Sequence, residues 1–212
     1  MSTTQRILPK GVSEADFDAA LGRFREIVGA DSVLTEGAQL APYTKIMMAG
    51  DDRDYIPSAA VMPTSAEQVQ EIVRTCNEFK VPIWTISTGK NQGYGSAAPG
   101  ETGQVILDLH RMNRILEVDP DSCTALVEPG VTYQQLYDYI QLWLSVPAPS
   151  AIAGPVGNTL DRGVGYTPYG EHFMFQCGME VVLANGEMIR TGMGGIENST
   201  SWQVFKWGYG PY

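Results

Sequence analysis

A strand–helix–strand pattern that ends in a glycine-rich loop constrains the fold of this chain more than any other feature of its sequence. An apolar run at 59–62 stops at Pro63, and Ser65 then begins a segment whose apolar residues recur at helical spacing up to Phe79. A second apolar run, 82–86, leads into glycines. Such a unit predicts a crossover between strands of one sheet, and ligands usually bind at the carboxyl ends of strands in such sheets.

The loop after the second run is the first candidate binding site. It runs from Ile86 through Ser87, Thr88, Gly89, Lys90 and Asn91 to Gly95. Its backbone N–H groups can hold a pyrophosphate, and Tyr94 offers a phenolic hydroxyl nearby. The P-loop pattern fails because Asn91 follows Lys90, and a dinucleotide-binding turn fails because Pro99 would stop its helix. A cofactor loop and an ordinary glycine-rich turn both stay open at this point, and Lys90 either neutralises phosphate charge or is a solvated surface residue.

The composition predicts a globular chain that does not bind nucleic acid. The chain has 212 residues, of which 43% are hydrophobic, and this is enough to bury one good core or two small ones. Its formal net charge of -10 opposes binding to a phosphate backbone, whereas a basic or neutral protein partner would be attracted. No apolar run approaches the about 18 residues of a membrane span, and residues 1–6 lack the apolar core of a secretory signal.

Cysteine and histidine are too sparse to predict a disulfide framework or a metal site. Cys76, Cys123 and Cys177 are widely spaced, which favours isolated thiols. The two histidines, His110 and His172, lie far from any pair of cysteines. We therefore expect no bound metal.

The remaining patterns predict an α+β fold. Ser13 begins an amphipathic helix that extends to about Gly29, and the segment 37–56 is expected to cross the surface as an irregular connection. Thr132 starts a short helix, and Asn185-Gly186 predicts the turn of a hairpin. Three apolar runs of strand length are expected to form a meander, at 104–107, 115–118 and 124–127.

A second stretch of small residues, at 150–166, is the other candidate site. Its glycines allow the backbone to approach a flat ligand, although a tight connection between packed elements would use them as well. Asn158 and Asp161 have short polar side chains near the start of a predicted helical turn, where they can bond a ribityl or ribose hydroxyl. Asp161 is equally suited to pair with an arginine or to cap the turn.

Four segments of the chain together resemble the FAD-binding domain of the vanillyl-alcohol oxidase family. They are 87–99, 126–132, 157–170 and 178–186. The resemblance extends from about Leu8 to Tyr212 and implies an FAD-binding domain at 57–212, preceded by a helix and a connecting segment at 1–56. Family members are more than twice as long. The cap domain, the C-terminal part of the fold and the residue that bonds covalently to the flavin are therefore expected outside this sequence, and these residues alone are expected to be inactive.

Within the family, the chain is more similar to the cytochrome-linked dehydrogenases than to the oxidases. The oxidases have an aspartate near the flavin in the segment that corresponds to 148–157, and this sequence has no aspartate between Asp138 and Asp161. The segment 205–211 also resembles the dehydrogenases, and 139–144 is several residues shorter than in the family. An oxidase of the vanillyl-alcohol or eugenol type that uses oxygen stays open as an alternative, as does a non-catalytic FAD-binding module.

The resemblance implies FAD-dependent oxidation of 4-alkylphenols of the 4-cresol type. In such a reaction the substrate is bound as a phenolate, its benzylic carbon gives a hydride to flavin N5, and water adds to the quinone methide. Electrons then pass to a c-type cytochrome subunit, and the flavoprotein subunits are expected to form a homodimer. A cytochrome partner would place the complex in the periplasm, although the chain has no visible signal of its own.

The resemblance also implies roles for individual residues. Tyr94 is expected to anchor the phenolate, because a phenolic donor in a dry pocket stabilises an oxyanion. Glu180 lies in a predicted strand and faces either the adenosine or solvent, and Tyr169 and His172 are expected to pack beneath the cofactor. The expected FAD contacts are Ile86, Ser87, Thr88, Gly89, Lys90, Asn91, Ser150, Gly157, Asn158, Asp161, Gly165, Tyr166, Glu180 and Val181.

Overall fold

The computed structural model describes residues 6–46, 50–91, 96–141, 150–165 and 170–199 of the chain. The chain divides into two compact units, Met1–Met112 and Asn113–Tyr212. The described part of the first unit contains a four-stranded sheet, and that of the second contains two separate pairs of strands. Helices accompany the strands in each unit, as expected for an α+β fold.

Helix α1, Glu14–Val28, begins where the sequence predicts it. The Ser13 hydroxyl accepts a hydrogen bond from the Asp16 N–H at 3.1 Å, which satisfies a donor that the first helical turn would otherwise leave unpaired. Phe17, Leu21 and Phe24 are buried along one face of the helix. The N-terminal helix is therefore part of the core of the first unit.

The sheet of the first unit has the strand order β1-β2-β4-β3. Its strands are β1 Val33–Leu34, β2 Ala59–Val61, β3 Ile83–Ile86 and β4 Val105–Asp108. Strands β2, β4 and β3 are parallel, and β1 is antiparallel to β2. Strand β4 is buried along its whole length, and its residues 105–107 are apolar. The carboxyl ends of the parallel strands therefore lie at one edge of the sheet.

Two further helices of this unit are α2, Gly37–Leu40, and α3, Ala66–Phe79. Helix α3 begins after Ser65, whose hydroxyl accepts a hydrogen bond from the Gln68 N–H at 3.3 Å. It ends at Lys80, which has a left-handed φ of 57°. Helix α3 connects β2 to β3, and β4 lies between these two strands in the sheet.

Two expectations for this unit are wrong. The run at 104–107 belongs to β4 in the parallel sheet, and only the runs at 115–118 and 124–127 pair with each other, so the three runs do not form a meander. The length and apolar content of the run at 104–107 suit both a strand of a meander and a strand of a parallel sheet. Sequence periodicity does not distinguish the two. The segment 37–56 is also more than a surface connection, because it contains α2 and the buried side chain of Tyr43.

The second unit contains two antiparallel strand pairs and two α-helices among its described residues. The strands are β5 Ile115–Asp119, β6 Thr124–Val127, β7 Glu180–Val182 and β8 Met188–Arg190, and the helices are α4 Tyr133–Ile140 and α5 Pro155–Leu160. Helix α4 has the predicted start, because Thr132 and Gln135 form a reciprocal capping box. The predicted hairpin is formed by β7 and β8, and Gly186 has a φ of 82° in its turn.

A largely buried carboxylate fixes the ends of the β5–β6 pair. The Glu128 side chain is 8% exposed and the Arg114 side chain is 68% exposed. Glu128 accepts hydrogen bonds from Arg114 Nη2 at 2.6 Å, from Arg114 Nε at 3.0 Å and from the Arg114 backbone N–H at 2.7 Å. Both carboxylate oxygens are thus satisfied by one residue.

No helix in the described ranges combines the length and the apolar character needed to cross a membrane.

Candidate functional site

The loop that follows β3 has a run of backbone N–H groups for which the described residues provide no acceptor. Among the residues that the structure describes, none accepts a hydrogen bond from the backbone N–H groups of Thr88, Gly89 or Lys90. Thr88 and Gly89 are half-buried, and Lys90 is exposed. Unpaired N–H groups in a partly buried loop require water or a ligand as acceptor. Successive donors of this kind form a binding site for an anion.

Gly89 is a position in this loop that has no space for a side chain. Its φ is +65°, and an added Cβ would lie 2.8 Å from the Cβ of Ala97. Hydrogen bonds hold both ends of the loop. At one end, the Ile86 carbonyl accepts from the Leu109 N–H at 3.0 Å. At the other, the Ser96 hydroxyl donates to the Asn91 carbonyl at 3.0 Å. The free donors therefore lie in a segment of defined conformation.

These properties fit the pyrophosphate of FAD. The free N–H groups suit an anion, and Lys90 adds a positive charge beside them. Ile86 is buried at the end of β3, whereas Ser87 and Asn91 are half-buried and both have interaction partners. The structure thus brings the six predicted contacts of the first unit together in one loop at the carboxyl edge of the sheet, where parallel sheets usually bind ligands.

A buried polar cluster begins at the same edge. Asp108, the last residue of β4, is the register partner of Ile86 in β3. Its carboxylate accepts a hydrogen bond from the Tyr43 hydroxyl at 2.6 Å and lies 2.8 Å from His110 Nδ1. Burial, and then the bond to Asp108, raise the pKa of Tyr43 well above its ordinary value, so the phenol keeps its proton. Sequence reasoning missed this cluster, although an aspartate at the end of an apolar strand was a usable signal.

In the second unit, Asn158, Gly163 and His172 form one hydrogen-bonded network. The Asn158 carbonyl accepts from the Gly163 N–H at 2.8 Å, and the Gly163 carbonyl accepts from the His172 N–H at 3.0 Å. The side chains also meet, with His172 Nδ1 2.5 Å from Asn158 Oδ1. A Cβ at position 163 would lie 1.9 Å from this Oδ1, so the network requires glycine there.

His172 is a buried imidazole with only one nitrogen paired. The residue is 1% exposed, and its Nε2 has no hydrogen-bond partner among the described residues. Burial lowers the pKa of His172 below its ordinary value of 6.5, so the ring is neutral at pH 7. Because Nδ1 faces the amide oxygen of Asn158, which can only accept, we assign the ring proton to Nδ1. Nε2 is then an acceptor.

The expectation that Asn158 and Asp161 lie near the start of a helical turn is wrong. Asn158 lies inside α5, and Asp161 is the exposed residue that follows its end, so neither is near its start. The helix begins earlier because Pro155 occupies its first position, where the fixed φ of proline favours helix formation. Asp161 therefore follows the last residue of the helix, and it has a further interaction partner.

The other predicted contacts in the second stretch of small residues lie in different local structures. Ser150 is half-buried and its carbonyl accepts from the Ala153 N–H at 3.0 Å. Gly157 is half-buried within α5. Gly165 donates its N–H to the Gly170 carbonyl at 2.8 Å.

The two predicted contacts in β7 differ in their surroundings. Glu180 is exposed, and Arg190 Nε in the neighbouring strand lies 3.0 Å from its carboxylate. Val181 is half-buried and pairs with Ile189. The Glu180 carboxylate thus faces an arginine at a solvent-exposed position.

The predicted phenolate anchor Tyr94 and the predicted FAD contact Tyr166 lie outside the residues that the structure describes, as does Tyr169. Within the described ranges, no group of three or more His, Cys, Asp or Glu side chains is placed to hold a metal ion.

Residues 57–192 match the family model of the FAD binding domain. The match covers more than half of the chain, so the chain belongs to this family, and the predicted FAD cofactor is confirmed. The chain is also 64% identical, over 97% of its length, to the flavoprotein subunit of 4-cresol dehydrogenase [hydroxylating] of Pseudomonas putida. It spans 40% of that relative.

Two solved structures have a closely similar fold. The structure of p-cresol methylhydroxylase with substrate bound has a TM-score of 0.91 and 64% identity, and the match covers 97% of this chain and 41% of that one. The isoeugenol complex of 4-ethylphenol oxidase from Gulosibacter chungangensis has a TM-score of 0.88 and 41% identity, and the match covers 96% and 40% of the two chains. The predicted α+β FAD-binding fold, of the p-cresol methylhydroxylase type, is thereby confirmed.

Proposed function

We propose that the full-length protein is an FAD-dependent dehydrogenase that oxidises 4-alkylphenols of the 4-cresol type. The main support is the 64% identity to the flavoprotein subunit of 4-cresol dehydrogenase, which extends over 97% of this chain. Because the chain spans only 40% of that relative, the proposal concerns the whole protein and not these residues alone. The N-terminal segment at 1–56 and the FAD-binding domain at 57–212 are proposed as two of its parts.

The loop after β3 is proposed to bind the pyrophosphate of FAD. The N–H groups of Thr88, Gly89 and Lys90 would donate to phosphate oxygens, since no described residue accepts from them. The Lys90 ammonium would reduce the net negative charge of the pyrophosphate. Ile86, Ser87 and Asn91 would fix the loop at its ends.

The polar and small residues of the second unit are proposed as further contacts of the same cofactor. Asn158 would offer its amide to a cofactor hydroxyl, and the glycines would allow close approach of the backbone. The remaining proposed contacts in this unit are Ser150, Gly157, Asp161, Gly165, Tyr166, Glu180 and Val181. Glu180 is already paired with Arg190, and this ion pair would neutralise the negative charge of the Glu180 carboxylate where it contacts the cofactor.

Bound FAD supplies a hydride acceptor, its N5 atom. The chain's own contribution to the chemistry would come from Tyr94, whose hydroxyl is proposed to donate a hydrogen bond to the phenolate oxygen of the substrate. A phenolate releases a benzylic hydride more readily than a neutral phenol because its ring is richer in electrons, and a fixed donor in a dry site stabilises that anion. Hydride loss leaves a quinone methide, to which water adds at the benzylic carbon.

The electron acceptor is proposed to be a c-type cytochrome subunit, with the flavoprotein subunits forming a homodimer. The sequence supports this choice over an oxidase, because it has no aspartate between Asp138 and Asp161. The net charge of -10 would favour a partner with a basic surface.

An alkylphenol oxidase is the second candidate. The 41% identity and TM-score of 0.88 to a 4-ethylphenol oxidase support it. The two candidates differ in what reoxidises the reduced enzyme. Stopped-flow mixing of the substrate-reduced full-length protein with oxygen or with cytochrome c would separate them: fast reoxidation by cytochrome c alone supports the dehydrogenase, and fast reoxidation by oxygen supports the oxidase.

The origin of the product oxygen tests the proposed chemistry. Full-length protein would be incubated with 4-cresol and an artificial electron acceptor in ¹⁸O-labelled water. We expect the label in the benzylic hydroxyl of the product, because water adds to the quinone methide. A Tyr94→Phe variant should turn over more slowly than a Tyr137→Phe control on the exposed side of α4. Unlabelled product, or equal rates in the two variants, would contradict the reaction or the role of Tyr94 respectively.

A further inference from the structure

The unpaired ring nitrogen of His172 has no role in the function proposed above. The residue is only 1% exposed, and its Nε2 has no hydrogen-bond partner among the described residues. A buried polar atom without a partner destabilises the fold, so native proteins seldom keep one unless another group satisfies it. The position of this nitrogen therefore points to a partner that is not part of the described chain.

The ring that bears this nitrogen is held in one orientation. His172 Nδ1 lies 2.5 Å from Asn158 Oδ1, and the His172 backbone N–H donates to the Gly163 carbonyl at 3.0 Å. The contact depends on glycine at position 163, because Asn158 Oδ1 occupies the space that a Cβ would take there. Such a held ring presents Nε2 in a fixed direction, which is a requirement for binding a ligand with defined geometry.

The chemistry of Nε2 limits what can bind there. Because Nδ1 faces an amide oxygen and holds the proton, Nε2 has a lone pair and no hydrogen. A phosphate oxygen is also an acceptor, so the pyrophosphate is excluded as the partner. A hydroxyl or an N–H group is required, and FAD has both, in its ribityl and ribose hydroxyls and in its ring systems.

We propose that His172 is an FAD-binding residue whose Nε2 accepts a hydrogen bond from a hydroxyl or N–H group of the cofactor. The inference rests on the proposed function of the second unit in binding FAD. It adds a residue to that proposed site and gives Asn158 a new role, which is mainly to orient His172. The bond replaces the missing partner of a buried atom. It therefore contributes to FAD affinity and not only to packing.

A pair of substitutions separates the two nitrogens of the ring. The side-chain amide of asparagine reaches the position of Nδ1, so His172→Asn keeps the contact with Asn158 and removes Nε2. Glutamine reaches the position of Nε2, so His172→Gln keeps a polar atom towards the cofactor and removes the contact with Asn158. Tyr139→Asn and Tyr139→Gln in α4, where the residue is 64% exposed, are the controls.

The readout is the dissociation constant for FAD of the full-length apoprotein, measured by quenching of flavin fluorescence, with thermal unfolding of each apoprotein as the check on folding. We expect His172→Asn to bind FAD about tenfold more weakly than the wild type, as for one lost hydrogen bond, and more weakly than His172→Gln. Both Tyr139 variants should bind like the wild type. Unchanged affinity in His172→Asn, or weaker binding in His172→Gln than in His172→Asn, would overturn the proposal.

A second measurement does not depend on the variants being folded. ¹⁵N spectra of ring-labelled histidine in the wild-type apoprotein would be recorded before and after addition of FAD. We expect a neutral ring with the proton on Nδ1 in both, and a change of the Nε2 resonance to that of a hydrogen-bonded acceptor when FAD binds. An Nε2 resonance that does not respond to bound FAD would overturn the inference alone, whereas failure of the wild type to bind FAD would overturn the proposed function itself.

Discussion

The Tyr43 hydroxyl donates a 2.6 Å hydrogen bond to Asp108, a residue 65 positions later in the chain. Both side chains are buried, and Asp108 ends the central parallel strand at the edge where the glycine-rich loop begins. The bond therefore connects an irregular N-terminal segment to the edge of the sheet that bears the proposed pyrophosphate loop. Removing it should destabilise the first unit.

Tyr43→Phe is expected to lower the free energy of unfolding by about 1–3 kcal/mol, because it leaves a buried carboxylate oxygen without its donor. The measurement is thermal and denaturant unfolding of the full-length protein. Tyr137→Phe is the control, since Tyr137 is 45% exposed and should tolerate the same change. Equal stability of the two variants would show that the buried bond contributes nothing.

Gly89→Ala is expected to weaken FAD binding by roughly tenfold or more, because the added Cβ would lie 2.8 Å from the Cβ of Ala97 in a loop with φ of +65°. The loop would have to move, and its N–H groups would move with it. Gly22→Ala in α1 is the matched control, because a Cβ there has no atom within 4 Å. FAD affinity measured on the full-length apoprotein checks this, and equal affinity in both variants would refute a binding role for the loop.

Arg114→Ala is expected to cost about 1–2 kcal/mol of stability, less than for a fully buried ion pair because the arginine itself is 68% exposed. The change removes the two side-chain donors of Arg114 from the buried Glu128 carboxylate. Arg74→Ala is the comparison, since Arg74 and Glu71 are 51% and 49% exposed and their pair should contribute under about 0.5 kcal/mol. Unfolding curves that rank the two variants in the opposite order would contradict this assignment.

The stability of the protein is expected to fall as the pH drops below about 6.5, and His172 is the reason. Burial lowers the folded-state pKa of this ring below its ordinary value of 6.5. The unfolded state therefore takes up the proton first as the pH falls. Protonation lowers the free energy of the unfolded state, so the free energy of unfolding decreases until the pH reaches the folded-state pKa. Well above pH 6.5 the ring is unprotonated in both states, so this contribution is constant there.

Thermal unfolding between pH 5 and pH 8 tests this pH dependence. The wild type should lose stability on the acid side of the range more steeply than His172→Gln, which has no titrating group at this position. Parallel pH profiles for the two proteins would contradict a buried neutral histidine.

The helices and the binding loop could be predicted from the sequence because their signals are local. Ser13 and Thr132 cap helices through bonds to residues three positions later, and the glycines after β3 follow an apolar run of strand length. The neighbours of each strand depend on contacts distant in the sequence. The run at 104–107 was therefore assigned to the wrong sheet partner, although its strand character was correct.

The polar clusters were missed for a related reason. Tyr43 and Asp108 meet only because the sheet brings them together, and the irregular sequence around Tyr43 gives no local sign of burial. The contact between Asn158 and His172 likewise depends on a turn at Gly163 that no periodic pattern indicates. Sequence motifs identified the loops of the site, whereas the supporting hydrogen bonds required the fold.

Anaerobic addition of 4-cresol to the FAD-loaded full-length protein is the most direct test of the proposed function. The proposal predicts rapid bleaching of the visible flavin absorption, with one equivalent of substrate consumed for each flavin reduced, followed by recovery of the oxidised spectrum when cytochrome c is added. A flavin spectrum that 4-cresol and other 4-alkylphenols leave unchanged would contradict the proposal, even if FAD binding itself were intact.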